Sequence, residues 1–215
     1  MYTNYVVCLL LPYGIDRLGI KPFFYSLLPN GEFIFGSELK VLKQHPLFDK
    51  TLRNTTIEDY FTFGYIPEPN TVYQHSFKLA PGHCMLLKKD DKQLPTPREY
   101  WDIPTRFDKE LSAEEVNEQL VERLKDAVDI RMVADVPLGA FLSGGVDSSA
   151  IVALMAQLQT DPVNTCAIGF DVKAFDETEY AQQVADQYKT NHRFETVDQE
   201  DFDLIDKLAD LYDEP

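Results

Sequence analysis

The stretch that decides the fold is Ser143–Ser149, which reads SGGVDSS and follows the apolar run Leu138–Leu142. The stretch Ser148–Gln159 has a helix-like composition. Glycines allow a tight turn and let backbone N–H groups face an anion without a Cβ between them. A helix that begins at such a turn adds unpaired N–H donors and the positive end of its dipole. The pattern therefore predicts a phosphate-binding turn between a strand and a helix, with serine hydroxyls as further donors.

Two better-known phosphate loops do not fit this stretch. No lysine precedes the final serine, so it is not a Walker A loop, and the glycine spacing is not that of a dinucleotide fold. The carboxylate of Asp147 would repel phosphate unless a Mg²⁺ ion lay between them. A plain glycine turn with an aspartate at the helix cap is the alternative that the residues leave open.

The second half of the chain alternates strands and helices around this turn. Ser112-x-x-Glu115 is a capping box, and it opens a helix with one apolar face. The apolar face of that helix holds Val116, Leu120, Leu124 and Val128. The later predicted elements are a strand at Val163–Phe170, a helix at Glu177–Lys189, a strand at His192–Val197 and a helical stripe of Phe202, Ile205, Leu208 and Leu211. This order predicts a parallel sheet with right-handed crossovers.

The first half is predicted to be β-rich. Asn30-Gly31 favours a type I′ turn that joins Pro22–Leu28 to Glu32–Phe35 in a hairpin. Thr55-x-x-Glu58 predicts a second capping box, on a helix that Gly64 ends. The remaining predicted elements are a short helix at Glu38–Gln44, a mostly irregular segment 65–82 and a strand at His83–Lys88.

Charge and cysteine content narrow the class of protein. Residues 1–105 hold 11 basic and 11 acidic residues, so the net charge of −16 over 215 residues comes entirely from 106–215. This step predicts a domain boundary near residue 105, and the acidic balance argues against nucleic acid or an anionic membrane as the partner. Cys8, Cys84 and Cys166 form no CxxC pair, which favours a reducing, cytoplasmic location. The apolar run Tyr5–Leu11 is too short to span a membrane and is interpreted as a strand.

The turn also resembles the pyrophosphate-binding loop of the ATP pyrophosphatase enzymes, which cleave ATP between its α and β phosphates. With the preceding Asp135–Leu142, it is similar to one branch, the glutamine-hydrolysing asparagine synthetases. Other segments match that family in the same order: Asp16–Pro22, Phe35–Lys40, Leu79–His83, Tyr100-Trp101, Phe175–Glu177 with Tyr180-Ala181, and Asp213–Pro215.

The resemblance implies an α/β protein with two partial domains. Residues 1–105 would be the β-rich C-terminal part of an N-terminal-nucleophile glutaminase domain, the type 2 glutamine amidotransferase. Residues 106–215 would be the first half of a parallel-sheet ATP pyrophosphatase domain, similar to the adenine nucleotide α-hydrolases. The implied activity is the ATP-dependent amidation of aspartate through β-aspartyl-AMP, with Mg²⁺ as cofactor, ammonia taken from glutamine, and a homodimer as a possible assembly.

The resemblance also assigns roles to residues. Ser143, Gly144, Gly145, Asp147 and Ser148 would hold the pyrophosphate side of ATP, with Asp147 on the Mg²⁺ ion. Leu142 and Ile168 would contact adenine at the carboxyl ends of two strands, although either could equally be a core residue. Asp16 matches the aspartate on the glutamine side, but Ile15 replaces its usual arginine neighbour, and a turn aspartate is the alternative.

One family feature is absent from this sequence. The family nucleophile is a cysteine directly after the initiator methionine, and here Tyr2 follows Met1. Cys8 lies in an apolar run and is interpreted as a packed strand residue, so no catalytic residue is assigned. We therefore expect this chain to be a fragment without glutaminase turnover. The alternatives are a non-catalytic remnant that binds ATP or pyrophosphate, and a related amidotransferase acting on another carboxylate.

Overall fold

The computed structural model describes residues 11–88, 91–105, 111–172, 176–197 and 211–213. This part of the chain divides into two compact units. The first holds residues 11–105 together with 211–213, and the second holds residues 111–197.

The first unit contains two antiparallel three-stranded sheets. Its elements are β1 (Leu11–Gly14), β2 (Phe24–Leu27), β3 (Phe33–Gly36), α1 (Leu39–Leu42), α2 (Thr55–Phe63), β4 (Ser76–Lys78), β5 (His83–Leu87) and β6 (Arg98–Glu99). The sheet orders are β1-β5-β6 and β3-β2-β4. Neighbouring side chains of a strand point to opposite faces, so Phe24 packs on α1 while Tyr25 packs on Leu79 and Met85. The predicted β-rich first half is confirmed.

The hairpin forms, but its turn differs from the predicted type. β2 and β3 pair with Leu27 opposite Phe33. The N–H of Gly31 donates to the carbonyl of Leu28 at 2.9 Å, and only Gly31, not Asn30, has a positive φ (86°). A type I′ turn needs positive φ at both central residues. The type I′ prediction is therefore wrong, and Gly31 instead provides the single left-handed position of a longer loop.

The predicted capping box of α2 does not form. Asn54 occupies the N-cap position, but its side chain makes no capping hydrogen bond. Thr55 is already the first helical residue, so it cannot be the cap. The end of the helix is as predicted, because Gly64 takes the left-handed conformation with φ 76°.

The second unit is a parallel sheet with helices packed against it. Its elements are α3 (Ala113–Arg131), β7 (Gly139–Phe141), α4 (Val146–Leu158), β8 (Asn164–Phe170), α5 (Thr178–Tyr188) and β9 (Asn191–Val197). The strand order is β7-β8-β9, and both pairs are parallel. The predicted parallel sheet is confirmed.

The burial of β8 alternates strictly. Thr165, Ala167 and Gly169 are buried, while Cys166 and Ile168 are exposed. Ala167 packs with α4 and α5 through Val152 and Ala181. The sheet therefore has one covered face, and in the described residues the other face stays open.

Helix α3 begins as predicted, and only part of its apolar face is used. The Ser112 hydroxyl accepts from the N–H of Glu115, and the Glu115 carboxylate accepts from the N–H of Ser112, which completes the capping box. Val128 packs against Leu154 and Met155 of α4. Two earlier positions of the predicted face, Val116 and Leu120, are exposed.

Several predictions fall on residues outside the described part of the chain. These are the interpretation of Cys8 and of residues 5–10, the family match at residue 175 and at residues 214–215, and the helical stripe except for Leu211. Within the described ranges, no helix is long and apolar enough to cross a membrane.

Candidate nucleotide-binding site

Residues 142–145 connect the end of β7 to the first residue of α4, so the glycine turn lies between a strand and a helix as the sequence predicted. Gly144 has φ 80°, a left-handed conformation, and Gly145 is the N-cap with φ −67° and ψ 162°. Gly145 has no side chain to cap the helix, and the first N–H groups of an α-helix have no partner inside it. The turn therefore presents uncapped backbone donors at the positive end of a 13-residue helix.

Two serine hydroxyls lie at the mouth of this turn. The hydroxyls of Ser143 and Ser148 are hydrogen-bonded at 3.0 Å. The Ser148 hydroxyl also accepts from the N–H of Ser143, and the Ser143 hydroxyl accepts from the N–H of Gly145, both at 3.3 Å. These bonds are long and exposed, so phosphate oxygens can replace them at little cost. The third hydroxyl, of Ser149, is buried without a hydrogen-bond partner in the described residues.

A cavity of about 210 Å³ opens beside the turn, at the carboxyl ends of β7 and β8. Its walls include Leu142, Ser143 and Ile168, so the structure brings these three predicted residues together. Leu142 is 1% exposed and belongs to the core, with its N–H donating to the carbonyl of Cys166 at 2.8 Å. Ile168 is 54% exposed and presents its side chain to the open face. The cavity thus has an apolar wall next to a polar turn.

Asp147 lies in the first turn of α4 with an exposed carboxylate. Among the residues that the structure describes, no cluster of three His, Cys, Asp or Glu side chains could hold a metal ion. Mg²⁺ commonly uses one or two protein carboxylates and takes its other ligands from substrate phosphates and water. A single carboxylate at an anion-binding turn fits that coordination.

A further part of the cavity wall comes from α5, which packs against the turn and which sequence reasoning did not assign to the site. A Cβ on Gly144 would collide with the Cβ of Tyr180 and would lie 2.7 Å from the N–H nitrogen of Ala181. Glu177 and Thr178, at the start of α5, line the cavity. Their position after β8, at the same edge of the sheet as the turn, is the sequence signal that could have indicated them.

Next to this wall, Asp176 is tied to the start of α5. Hydrogen bonds from the Thr178 hydroxyl and the Thr178 N–H hold the pKa of Asp176 below its ordinary value. Asp176 therefore stays ionised at neutral pH and fixes the first turn of α5 beside the cavity.

In the first unit, Asp16 organises its own loop. Its carboxylate accepts from the N–H groups of Leu18, Ile20 and Lys21 at 3.0, 3.1 and 3.2 Å. The Ile20 N–H contributes most to holding the pKa of Asp16 below its ordinary value, and the other amides add to it. This geometry is that of a turn aspartate, with both carboxylate oxygens engaged by backbone donors.

Three segments of the family resemblance meet at this loop. The N–H of Gly82 donates to the carbonyl of Asp16 at 3.1 Å, and the N–H of Tyr100 donates to the carbonyl of Gly82 at 2.8 Å. The Tyr100 hydroxyl donates to the carbonyl of Ile15 at 2.6 Å. The guanidinium of Arg17 lies 5.5 Å from the ring centre of Trp101. Segments more than 80 residues apart therefore form one packed group.

The second unit, with its glycine-serine turn at the carboxyl edge of a parallel sheet, has the architecture of the open α/β domains, in which ligands bind at that edge. Two family models match the chain: one described as asparagine synthase over residues 119–215, and one described as glutamine amidotransferase domain over residues 10–101. The chain belongs to the family of glutamine-hydrolysing asparagine synthetases.

Individual relatives agree with the family models. The chain is 40% identical over 207 residues to a putative asparagine synthetase [glutamine-hydrolyzing] 2 of Methanocaldococcus jannaschii, covering 93% of this chain and 39% of the relative. It is 30% identical over 210 residues to asparagine synthetase [glutamine-hydrolyzing] 3 of Bacillus subtilis, covering 91% and 33%. It is also 31% identical over 160 residues to the amidase chry2 of Gibberella zeae, covering 66% and 21%. The chain thus spans at most about two fifths of the length of these relatives.

Proposed function

We propose that the second unit binds Mg-ATP at Ser143–Ser149 and serves the glutamine-dependent synthesis of asparagine. The observation that carries this proposal is the uncapped turn of Gly144 and Gly145 at the start of α4, beside a cavity with an apolar wall. Backbone donors fit the phosphates, and the exposed side chain of Ile168 fits the flat face of adenine. Family membership supports the same nucleotide.

The proposed chemistry has two steps. A carboxylate oxygen of aspartate attacks the α-phosphorus of ATP, the bond from that phosphorus to the bridging oxygen breaks, and pyrophosphate leaves. The nitrogen of ammonia then attacks the acyl carbon, and AMP leaves with the electrons of the broken carbon–oxygen bond. In the first step, negative charge grows on the pyrophosphate. The N–H groups of the turn and the hydroxyls of Ser143 and Ser148 stabilise that charge.

Mg²⁺, when bound, would neutralise part of the phosphate charge. Asp147 is the residue that would hold it, since its carboxylate is exposed in the first turn of α4, where phosphate oxygens would complete the coordination.

The first unit would belong to the glutaminase side of the same enzyme. The match to the glutamine amidotransferase domain over residues 10–101 supports this. The role of Asp16 toward glutamine stays a prediction, because both of its carboxylate oxygens already accept from loop amides. A homodimer also stays a prediction. Cys84 and Cys166 are free thiols, which supports a cytoplasmic location.

Calorimetric titration of the full chain with Mg-ATP and with magnesium pyrophosphate tests the proposal. Gly145→Ala keeps an allowed backbone conformation but places a methyl group 3.3 Å from the Ser143 hydroxyl, on the anion-binding side of the turn. We expect this variant to bind both ligands at least tenfold more weakly, with an unchanged circular dichroism spectrum. Equal affinities for the wild type and Gly145→Ala would contradict the proposal, as would the absence of binding to the wild type.

A second candidate is the same chemistry with another acceptor carboxylate. The similarity to an amidase over two thirds of this chain favours it. Exchange of labelled pyrophosphate into ATP, measured with aspartate and with glutamate as the acceptor, separates the two candidates. Exchange that depends on aspartate supports asparagine synthesis, whereas exchange with glutamate but not aspartate supports the second candidate.

A further inference from the structure

Glu177 is the one residue with a formally charged side chain among the ten that line the cavity. The other lining residues are Phe141, Leu142, Ser143, Cys166, Ala167, Ile168, Phe170, Thr178 and Ala181. An apolar surface with a single carboxylate is unsuited to phosphate, because the carboxylate repels it. The same surface suits a ligand that is apolar and carries a hydrogen-bond donor.

Among the residues that the structure describes, no hydrogen bond or salt bridge engages the Glu177 carboxylate. Glu177 is the N-cap residue of α5, yet its side chain makes no capping hydrogen bond. Within the described ranges it has no salt bridge, and Glu177 is exposed. This carboxylate is therefore available to a ligand in the cavity.

Glu177 also has a defined position relative to the phosphate-binding turn. Tyr180 and Ala181 contact Gly144, so this point of α5 lies against the turn. Glu177 precedes Tyr180 by three residues, which is about 4.5 Å along the axis of a helix. Glu177 thus lies about one helical turn from the part of α5 that contacts the phosphate-binding turn, and it lines the same cavity as Ile168 and Phe170.

We propose that the Glu177 carboxylate accepts a hydrogen bond from the nucleoside part of ATP. This inference rests on the proposed ATP site. A nucleoside offers two kinds of donor, the ribose hydroxyls and the exocyclic amine of adenine, and both suit an unpartnered carboxylate. Thr178, beside Glu177, adds a hydroxyl that can accept from the same group.

Calorimetry with Glu177→Ala tests the proposal on the full chain. A hydrogen bond to a charged group corresponds to a loss of about tenfold or more in affinity for Mg-ATP when it is removed. We expect that loss for Mg-ATP and unchanged affinity for magnesium pyrophosphate, which has no nucleoside. Glu179→Ala is the matched control, because Glu179 lies in the first turn of α5 but does not line the cavity. Circular dichroism checks that each variant is folded.

Three analogues identify the donor. 2′-deoxy-ATP and 3′-deoxy-ATP each lack one ribose hydroxyl, and purine riboside triphosphate lacks the exocyclic amine. We expect the wild type and Glu177→Ala to bind equally to the analogue that lacks the partner group. The proposal is overturned if Glu177→Ala leaves Mg-ATP affinity unchanged. It is also overturned if pyrophosphate affinity falls as much as ATP affinity, which would place Glu177 on the metal and phosphate side. A wild type that binds neither ligand would instead refute the ATP site itself.

Discussion

Gly144 and Gly145 are neighbours in the sequence but are glycines for different physical reasons. Gly144 has φ 80°, and a Cβ there would enter the backbone of α5 at Tyr180 and Ala181. Gly145 has an extended backbone that any residue adopts, and its nearest neighbour to an added Cβ is the Ser143 hydroxyl. The first glycine is required for packing, and the second keeps the anion-binding side of the turn open.

This difference predicts unequal effects of two alanine substitutions on stability. Gly144→Ala should lower the free energy of unfolding by roughly 2–4 kcal/mol, since a left-handed conformation and an overpacked contact each cost about 1–3 kcal/mol. Gly145→Ala should change it by less than about 0.5 kcal/mol. Urea denaturation of the full chain measures both values. Equal stabilities of the two variants would show that α5 does not pack on the turn as described.

Asp16 predicts a local dependence on pH. Its pKa is lowered in the folded state by amide donors, chiefly that of Ile20, so its contribution is present above the unfolded pKa of about 3.9 and is lost as pH falls through the lower folded pKa. Below about pH 4, the N–H resonances of Ile20 and Lys21 should shift together as the loop opens. NMR titration measures this shift.

The matched variant for this titration is Asp16→Asn, which has no carboxylate to protonate. Its Ile20 and Lys21 resonances should not show the acid transition. An identical transition in the wild type and in Asp16→Asn would contradict the assignment of these hydrogen bonds to the carboxylate.

At the scale of elements, only one of the two predicted capping boxes forms in the structure. The box of Ser112 and Glu115 forms with both reciprocal bonds, whereas Thr55 lies one position inside α2. Ser112→Ala should therefore lower the free energy of unfolding by about 1 kcal/mol, and Thr55→Ala by much less. Thermal and urea denaturation measure the difference. An equal loss in both variants would show that capping is not what Ser112 contributes.

Local patterns predicted the elements better than their details. The strand–turn–helix order around Ser143–Ser149 follows from strong signals, an apolar run and a glycine pair, and the structure has it. The predicted type I′ turn was wrong because the longer loop needs only one left-handed residue, and Gly31 provides it. An Asn-Gly pair therefore does not determine the turn type. The predicted start of α2 was wrong because the helix begins one residue earlier, with Asn54 as the N-cap, which leaves Thr55 and Glu58 out of register for a capping box.

The candidate site was predictable only where it is continuous in sequence. Ser143–Ser149 is one segment, and its spacing alone indicates phosphate binding. Glu177 and Thr178 join the cavity because α5 packs back on Gly144, and their only sequence signal is indirect, namely their position after β8. Ile168 was identified through the resemblance, and its exposure on the open face of the sheet depends on which side the helices cover.

At the scale of the molecule, the first unit includes a late segment of the chain. The Asp213 carboxylate accepts from the N–H groups of Leu39 and Lys40 at 2.8 and 2.9 Å, and the ammonium of Lys40 donates to the carbonyl of Leu211 at 3.3 Å. Two segments of the family resemblance, separated by more than 170 residues, therefore contact each other directly. The unit that begins the chain is completed by residues that follow the second unit.

This contact predicts a specific loss of protection. Asp213→Ala removes both acceptors, so the amide hydrogens of Leu39 and Lys40 should exchange with solvent about tenfold faster, since each bond to a carboxylate contributes about 1.5 kcal/mol or more. Hydrogen exchange followed by NMR measures the rates. Asp102→Ala is the control, because the Asp102 carboxylate accepts from its neighbour Ile103. Unchanged exchange at Leu39 and Lys40 in Asp213→Ala would contradict the contact.

The most direct test of the central claim is an NMR titration of the labelled full chain with Mg-ATP, in which each backbone N–H is followed separately. The turn at the start of α4 is the proposed phosphate site, so the N–H resonances of Gly144, Gly145 and Val146 should shift most and saturate together. Magnesium pyrophosphate should shift the same three resonances. Shifts confined to the first unit, or none at residues 143–149 at saturating nucleotide, would contradict the account.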